Sequence, residues 1–244
     1  MNKHKCVIYA PIDTYSGYGA NARDKVKAII DLKKEEWDIK IMSCRWGQTP
    51  MSFLDENPEW GWLKEYILTS QLNYKPDYMF WITIPSEAQP IGKWNCLITA
   101  GIETNICPSD WLEGCNRMDL TIVSFEHSKK VFQDSTFEKR NQQTNALEGN
   151  IKLEKPIEVI FEGISTEIFK YLNNPPQNEI YETISKIPES FAYLFTSMWV
   201  NGNNIPVGED RKNVPLLIKA FYETFKNKTN KPALILKTCH VGSS

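Results

Sequence analysis

The sequence has no strong charge of either sign, no long apolar run and no C-x-x-C pair, and each absence excludes a class of function. Lys and Arg total 28 against 30 Asp and Glu, a net charge of −2 with a pI near 6.0, so there is no basic field to hold nucleic acid. Its apolar runs stop far short of the roughly 20 residues that a membrane-spanning helix needs, so neither nucleic acid nor a membrane span is expected as a partner. The N-terminal Met-Asn-Lys-His-Lys leads directly into an apolar run, which leaves no room for a signal peptide and makes the cytoplasm the expected compartment. The six cysteines are then expected as reduced thiols. Cys6 and Cys96 lie in apolar runs where a small buried hydrophobe belongs, and His4, His127 and His240 are scattered, so a metal site is not expected.

What is present is a succession of short apolar runs separated by amphipathic stretches, the pattern of an α/β protein. Cys6 to Ala10 has the character of a strand buried on both faces. Asp13 to Gly19 breaks it, and Ala22, Val26, Ile29 and Ile30 then mark one stripe of a helix starting near Ala20. A strand, a glycine turn and a helix in this order aim backbone N–H groups and the positive end of the helix dipole at the strand's C-terminal edge, where phosphates and hydroxyls bind. The letters Gly17-Tyr-Gly19-Ala-Asn-Ala22 fit the dinucleotide pattern G-x-G-x-x-A, but several residues separate them from Ile12. The second strand, Asp38 to Cys44, ends in Ser43 and Cys44 where a nicotinamide enzyme places its ribose-binding acid. The alternative to a ligand loop is that both glycines merely permit a tight turn.

Arg45 to Trp62 is rich in Trp, Pro and Gly and reads as an excursion over the sheet edge, with Trp46, Trp60 and Trp62 as packing anchors in preference to sugar platforms. A helix is expected from about Glu59 to Asn73, then strands at 76–85 and 94–101. The latter run places Glu103 and Thr104 at the C-terminal edge, where α/β sites are built. Pro108 to Asp110 has helix-start chemistry, and Leu120 to Ser124 is a strand whose Ser124 is expected to cap the helix carrying His127. Phe137 to Lys155 is polar and aperiodic and reads as a surface loop, and 156–161 as a strand. The paired prolines of Asn173 to Pro176 set a domain boundary, giving units 1–172 and 173–244. A second βαβ unit follows: a strand at 191–198, a helix with Val214, Leu217, Ile218, Phe221 and Phe225 on one face, and a strand at 232–239. Arg211 and Lys212 stand at that helix's start, where two cations oppose the dipole unless an anion offsets them.

Two Rossmann-like units joined by a proline linker resemble a GT-B glycosyltransferase, and the order of motifs is similar to the retaining family 4 group, including its phage-like relatives. Ser16 to Gly19 with Arg23 resembles the first-loop pattern, Val159 to Phe169 the N-G-V-D…F element at the domain crossing, and Gly208 to Asn213 the R-K-G element that binds the donor diphosphate. The resemblance implies transfer of a sugar from a nucleotide-diphosphate-sugar to a hydroxyl acceptor with retention, without a metal or other cofactor. It assigns Glu103, Arg211 and Lys212 to catalysis, Gly17, Gly19, Arg211 and Lys212 to the donor diphosphate, and Ser16, Tyr18, Glu103 and Thr104 to the acceptor side. No D-x-D occurs, so a divalent ion holding the diphosphate is not implied. Glu162 stands where the family has Asn, the arginine expected near Met198-Trp199 is missing, and the family's paired glutamates have no counterpart. The second domain reads as incomplete, so weak turnover or none is expected of the chain alone. Two other readings remain open: a non-catalytic glycan- or partner-binding module, and a nicotinamide-dependent oxidoreductase.

Overall fold

The computed structural model describes residues 3–141, 143–200 and 212–241, and the chain divides into two compact units, Met1–Ile164 and Ser165–Ser244. In the first unit the chain runs through β1 (His4–Ala10), α1 (Gly17–Lys33), β2 (Trp37–Ser43), α2 (Phe53–Glu56), a 3-10 segment Pro58–Tyr66, β3 (Tyr78–Ile82) and a 3-10 turn Pro85–Glu87. It continues through β4 (Trp94–Ile98), α3 (Ser109–Asn116), β5 (Leu120–Val123), α4 (Glu126–Asp134), β6 (Thr136–Arg140), β7 (Leu147–Lys152) and β8 (Ile157–Val159). Six strands form one parallel sheet in the order β2-β1-β3-β4-β5-β8. The unit is α/β with a parallel sheet flanked by helices, compatible with a Rossmann-like domain.

Alternation along the strands explains why both faces are covered. Cys6, Ile8 and Ala10 of β1 join Ala22, Val26 and Ile30 of α1 and Leu63 of the 3-10 segment in one core cluster. Val7, one position out of phase, joins Leu112 and Cys115 of α3 and Val131 and Phe132 of α4 on the other face. Each fully buried Ile or Leu in these clusters contributes about 1.5–3 kcal/mol.

Three expectations are corrected. The helix expected at Glu59 to Asn73 is a 3-10 segment ending at Tyr66, because the Pro-, Gly- and Trp-rich stretch packs by its rings. The loop expected at Phe137 to Lys155 contains most of the antiparallel hairpin β6-β7, whose side chains are mostly exposed, so there is no buried face to impose an alternation on the sequence. Ser124 does not cap α4; the cap position is Phe125 and makes no side-chain cap bond, while the Ser124 hydroxyl is used elsewhere.

In the second unit, α5 (Glu179–Ser185) precedes β9 (Ala192–Val200), α6 (Val214–Phe225) and β10 (Ala233–Val241). β9 and β10 pair in parallel from Ala192↔Ala233 to Val200↔Val241, so β9-α6-β10 is a βαβ crossover. Phe221 and Phe225 of α6 pack on Tyr193 of β9 with ring centroids 6.2 and 6.1 Å away.

The buried thiols make the first unit alkali-sensitive. Burial pushes Cys6, Cys96 and Cys115 from the ordinary 9.0 up to about 12. The raised folded-state values mean that this stabilisation is complete below about pH 9 and is lost as pH rises toward about 12, because the unfolded thiols ionise first. Thermal melts at about pH 7, 9 and 10.5 are expected to show the midpoint falling only over the upper interval, with a shallower fall in Cys96→Ala.

Candidate functional site at the C-terminal rim of the parallel sheet

The strand order reverses between β1 and β3, since β2 lies on one side of β1 and all later strands on the other. Loops leaving the C-terminal ends of such strands diverge and open a crevice there. The loop after β1 is built by a closed chain of hydroxyls. Thr14 Oγ1, fully buried, donates to Pro11 O at 2.9 Å, so the Ser16 proton goes to Thr14 Oγ1 at 2.7 Å, and Ser16 Oγ accepts from Gly19 N at 2.8 Å. This is the N-cap of α1. Arg23 underpins the loop: its buried guanidinium donates to Ile12 O and Thr14 O at 2.8 and 2.9 Å and lies 3.4 Å over the Phe53 ring. Burial lowers its pKa to about 10, and its donors at this loop are committed to main-chain carbonyls.

The two glycines differ. A Cβ on Gly17 would meet nothing within 4 Å, whereas one on Gly19 would lie 2.5 Å from both Thr14 O and Thr14 Oγ1. Gly19 is required by close packing, and its N–H is already bonded to Ser16. The N–H groups of Gly17 and Tyr18 have no partner among the described residues.

Tyr18 ties this loop to the loop after β4. Its hydroxyl accepts from Ala100 N at 3.1 Å and pairs with Thr99 Oγ1 at 3.1 Å, while its ring stacks on Trp46 at 3.9 Å. Burial raises the pKa of Tyr18, with Glu162 and Glu87 acting in the same direction and the Thr99 and Ala100 bonds opposing. The phenol is thus satisfied within the protein and offers a ligand only its ring.

The loop after β4 is fastened to α4. Gly101 has φ +88°, and a Cβ there would lie 2.2 Å from Ser128 Oγ, which itself accepts from Ile102 N at 3.1 Å. His127 Nε2 reaches Thr104 O at 3.1 Å; a carbonyl can only accept, so that nitrogen carries the proton. Thr104 Oγ1 donates to Ile106 O at 2.8 Å. Glu103 is exposed and has no hydrogen bond or ion pair among the described residues. On the β1 side of the crevice, buried Thr83 donates to Glu87, and burial raises the Tyr9 phenol and pushes the Cys44 thiol up to about 11.

One cluster escaped the sequence reading. Glu162 Oε1 accepts from Asn21 Nδ2 at 2.5 Å and from Ser124 Oγ at 2.9 Å. Lys25, one turn beyond Asn21, has its pKa lowered by burial, with Glu162 the leading opposing charge. Glu162 was noticeable only as an acid in place of an amide; nothing in the sequence singled out Asn21.

Of the residues assigned from sequence, Ser16, Gly17, Tyr18 and Gly19 therefore share the rim with Glu103 and Thr104, the Tyr18 bonds to Thr99 and Ala100 joining the two loops. Lys212 is exposed in the second unit, two residues before α6, and Arg211 lies outside the described residues. The first unit's rim carries the carboxylates Glu87, Glu103 and Glu162 and the cations Arg23, Lys25 and Arg45. Among the described residues, no group of three or more His, Cys, Asp or Glu could hold a metal ion, and no helix is long and apolar enough to cross a membrane. No protein-family model matches the chain, and neither a curated protein nor a solved structure matches it.

Proposed function

We propose that this protein is a glycosyltransferase of the GT-B type, moving a sugar from a nucleotide-diphosphate-sugar to a hydroxyl acceptor with retention at the anomeric carbon. The observation that carries the reading is the division of chemistry between two parallel α/β units. The rim of the first presents carboxylates, hydroxyls and free amides, which suit a polyhydroxyl acceptor better than a diphosphate. In the second, α6 of the βαβ crossover has no acidic residue in its first turn and follows directly on Lys212-Asn213. In this reading Glu103 and Thr104 orient the acceptor, and Gly17 N–H meets an oxygen of the bound ligand. Arg211, Lys212 and the α6 dipole offset the charge that develops on the departing nucleoside diphosphate, a role that requires no divalent ion.

The test is to incubate the protein with a panel of nucleotide-sugars and neutral saccharides, measuring nucleoside diphosphate release and the anomeric configuration of the product. Release that depends on the acceptor, with retained configuration, is the expected result. Release with an inverted product, or release that no acceptor increases, would overturn the reading.

A further inference from the structure

We propose that Glu162 is the carboxylate that grips the ligand at the first unit's rim, and that this ligand is a neutral, hydroxyl-rich saccharide. The inference deepens the acceptor half of the reading above. Both protein donors to this side chain converge on one oxygen, Oε1: Asn21 Nδ2 from the first turns of α1 at 2.5 Å and Ser124 Oγ from the end of β5 at 2.9 Å. Ser124 is 3 % exposed, so its hydroxyl is fixed by the core. Oε1 is thereby held from α1 and from the end of β5, while Oε2 accepts nothing from the described residues and the residue as a whole is exposed. A carboxylate oxygen held in this way can only accept, so it selects O–H or N–H donors. Bonds from such donors to an ionised carboxylate are roughly twice as strong as those between neutral groups.

The surroundings choose between ligand classes. Glu87 is hydrogen-bonded to Thr83 just past β3 and Glu162 to Ser124 just past β5, so both carboxylates stand at the C-terminal rim, where the unpaired Glu103 adds a third. A phosphate or carboxylate oxygen has no proton to offer Glu162 Oε2, whereas sugar hydroxyls can donate to it and accept from the N–H groups of Gly17 and Tyr18. Lys25, drawn toward burial on the same helix face as Asn21, supplies a donor for a further hydroxyl.

The substitution Glu162→Gln separates this role from a merely structural one. A glutamine keeps a carbonyl oxygen for Asn21 and Ser124, so a latch would survive, but it replaces the free acceptor oxygen by an NH2 donor. The wild-type protein, Glu162→Gln and the control Glu158→Gln, an exposed carboxylate on β8 paired with Lys129, would be screened against immobilised neutral and anionic saccharides. The best binder and a nucleotide-sugar panel would then be titrated by calorimetry. The expected result is a neutral saccharide bound by wild type and control alike, at least about tenfold weaker in Glu162→Gln, with thermal midpoints unchanged. Equal saccharide affinity in Glu162→Gln, or preference for phosphorylated or carboxylated saccharides, overturns the proposal and leaves the transferase reading standing. Nucleotide-sugar binding with no saccharide binding also overturns it. Glu162-dependent saccharide binding with no use of any nucleotide-sugar keeps the proposal and removes the transferase reading.

Discussion

Reversing both charges of Arg211 and Lys212 to glutamate is expected to lower kcat/KM for the nucleotide-sugar by about 100-fold or more, roughly 2.7 kcal/mol or more of transition-state stabilisation. Lys212 stands two residues before α6 and is exposed. Two carboxylates there would meet the departing diphosphate with repulsion in place of attraction. An exposed position such as that of Lys212 usually tolerates substitution within about 0.5 kcal/mol, and the melting midpoint is expected to stay within a few degrees. Steady-state kinetics together with a thermal melt check both halves. Full activity in the doubly reversed protein would place the donor diphosphate elsewhere; loss of activity with a lowered midpoint would indicate damage to the second unit's fold.

Gly114→Ala is expected to have the largest effect on stability. Gly114 lies in α3 against the 3-10 turn Pro85–Glu87, and an added Cβ would stand 2.0 Å from Pro85 O and 2.5 Å from Pro85 C. Those atoms belong to the main chain and cannot rotate aside, so α3 must retreat from the turn and open the core around Leu112 and Cys115. The helix-propensity gain of alanine, up to about 1 kcal/mol, is outweighed by an overpacking cost of about 3 kcal/mol or more. A net loss near 2 kcal/mol corresponds to a midpoint lower by roughly 4–8 °C. Gly17→Ala, with open space around it, serves as the control and is expected to shift the midpoint by less than about 2 °C. A Gly114→Ala protein as stable as wild type would mean that α3 and the turn are less closely packed than described.

The glycines also show where sequence reading reaches its limit. Gly17 and Gly19 attracted notice because they fit a phosphate-loop pattern, yet Gly17 is unconstrained and Gly19 serves close packing with its N–H bonded internally. Gly101 and Gly114 fit no motif and meet nearer neighbours than either. Spacing along the chain identifies a glycine; only its neighbours in space explain it.

The amino-acid sequence by itself determined the elements with a strong local signal. The apolar run of β1 and the stripe Ala22, Val26, Ile30 of α1 require burial on the sheet, and the parallel α/β class follows from their alternation. The near balance of 28 basic against 30 acidic residues, which leaves no basic field, is likewise set by composition. Tertiary structure alone decided the strand order β2-β1-β3-β4-β5-β8, and with it which loops meet. Asn21 and Glu162, 141 positions apart, share a carboxylate oxygen with Ser124, 38 positions from Glu162, because β8 pairs with β5 and their C-terminal ends open on the same rim as the start of α1. Periodicity is set by neighbours a few residues away, whereas that convergence depends on pairing between distant strands, which no local pattern encodes.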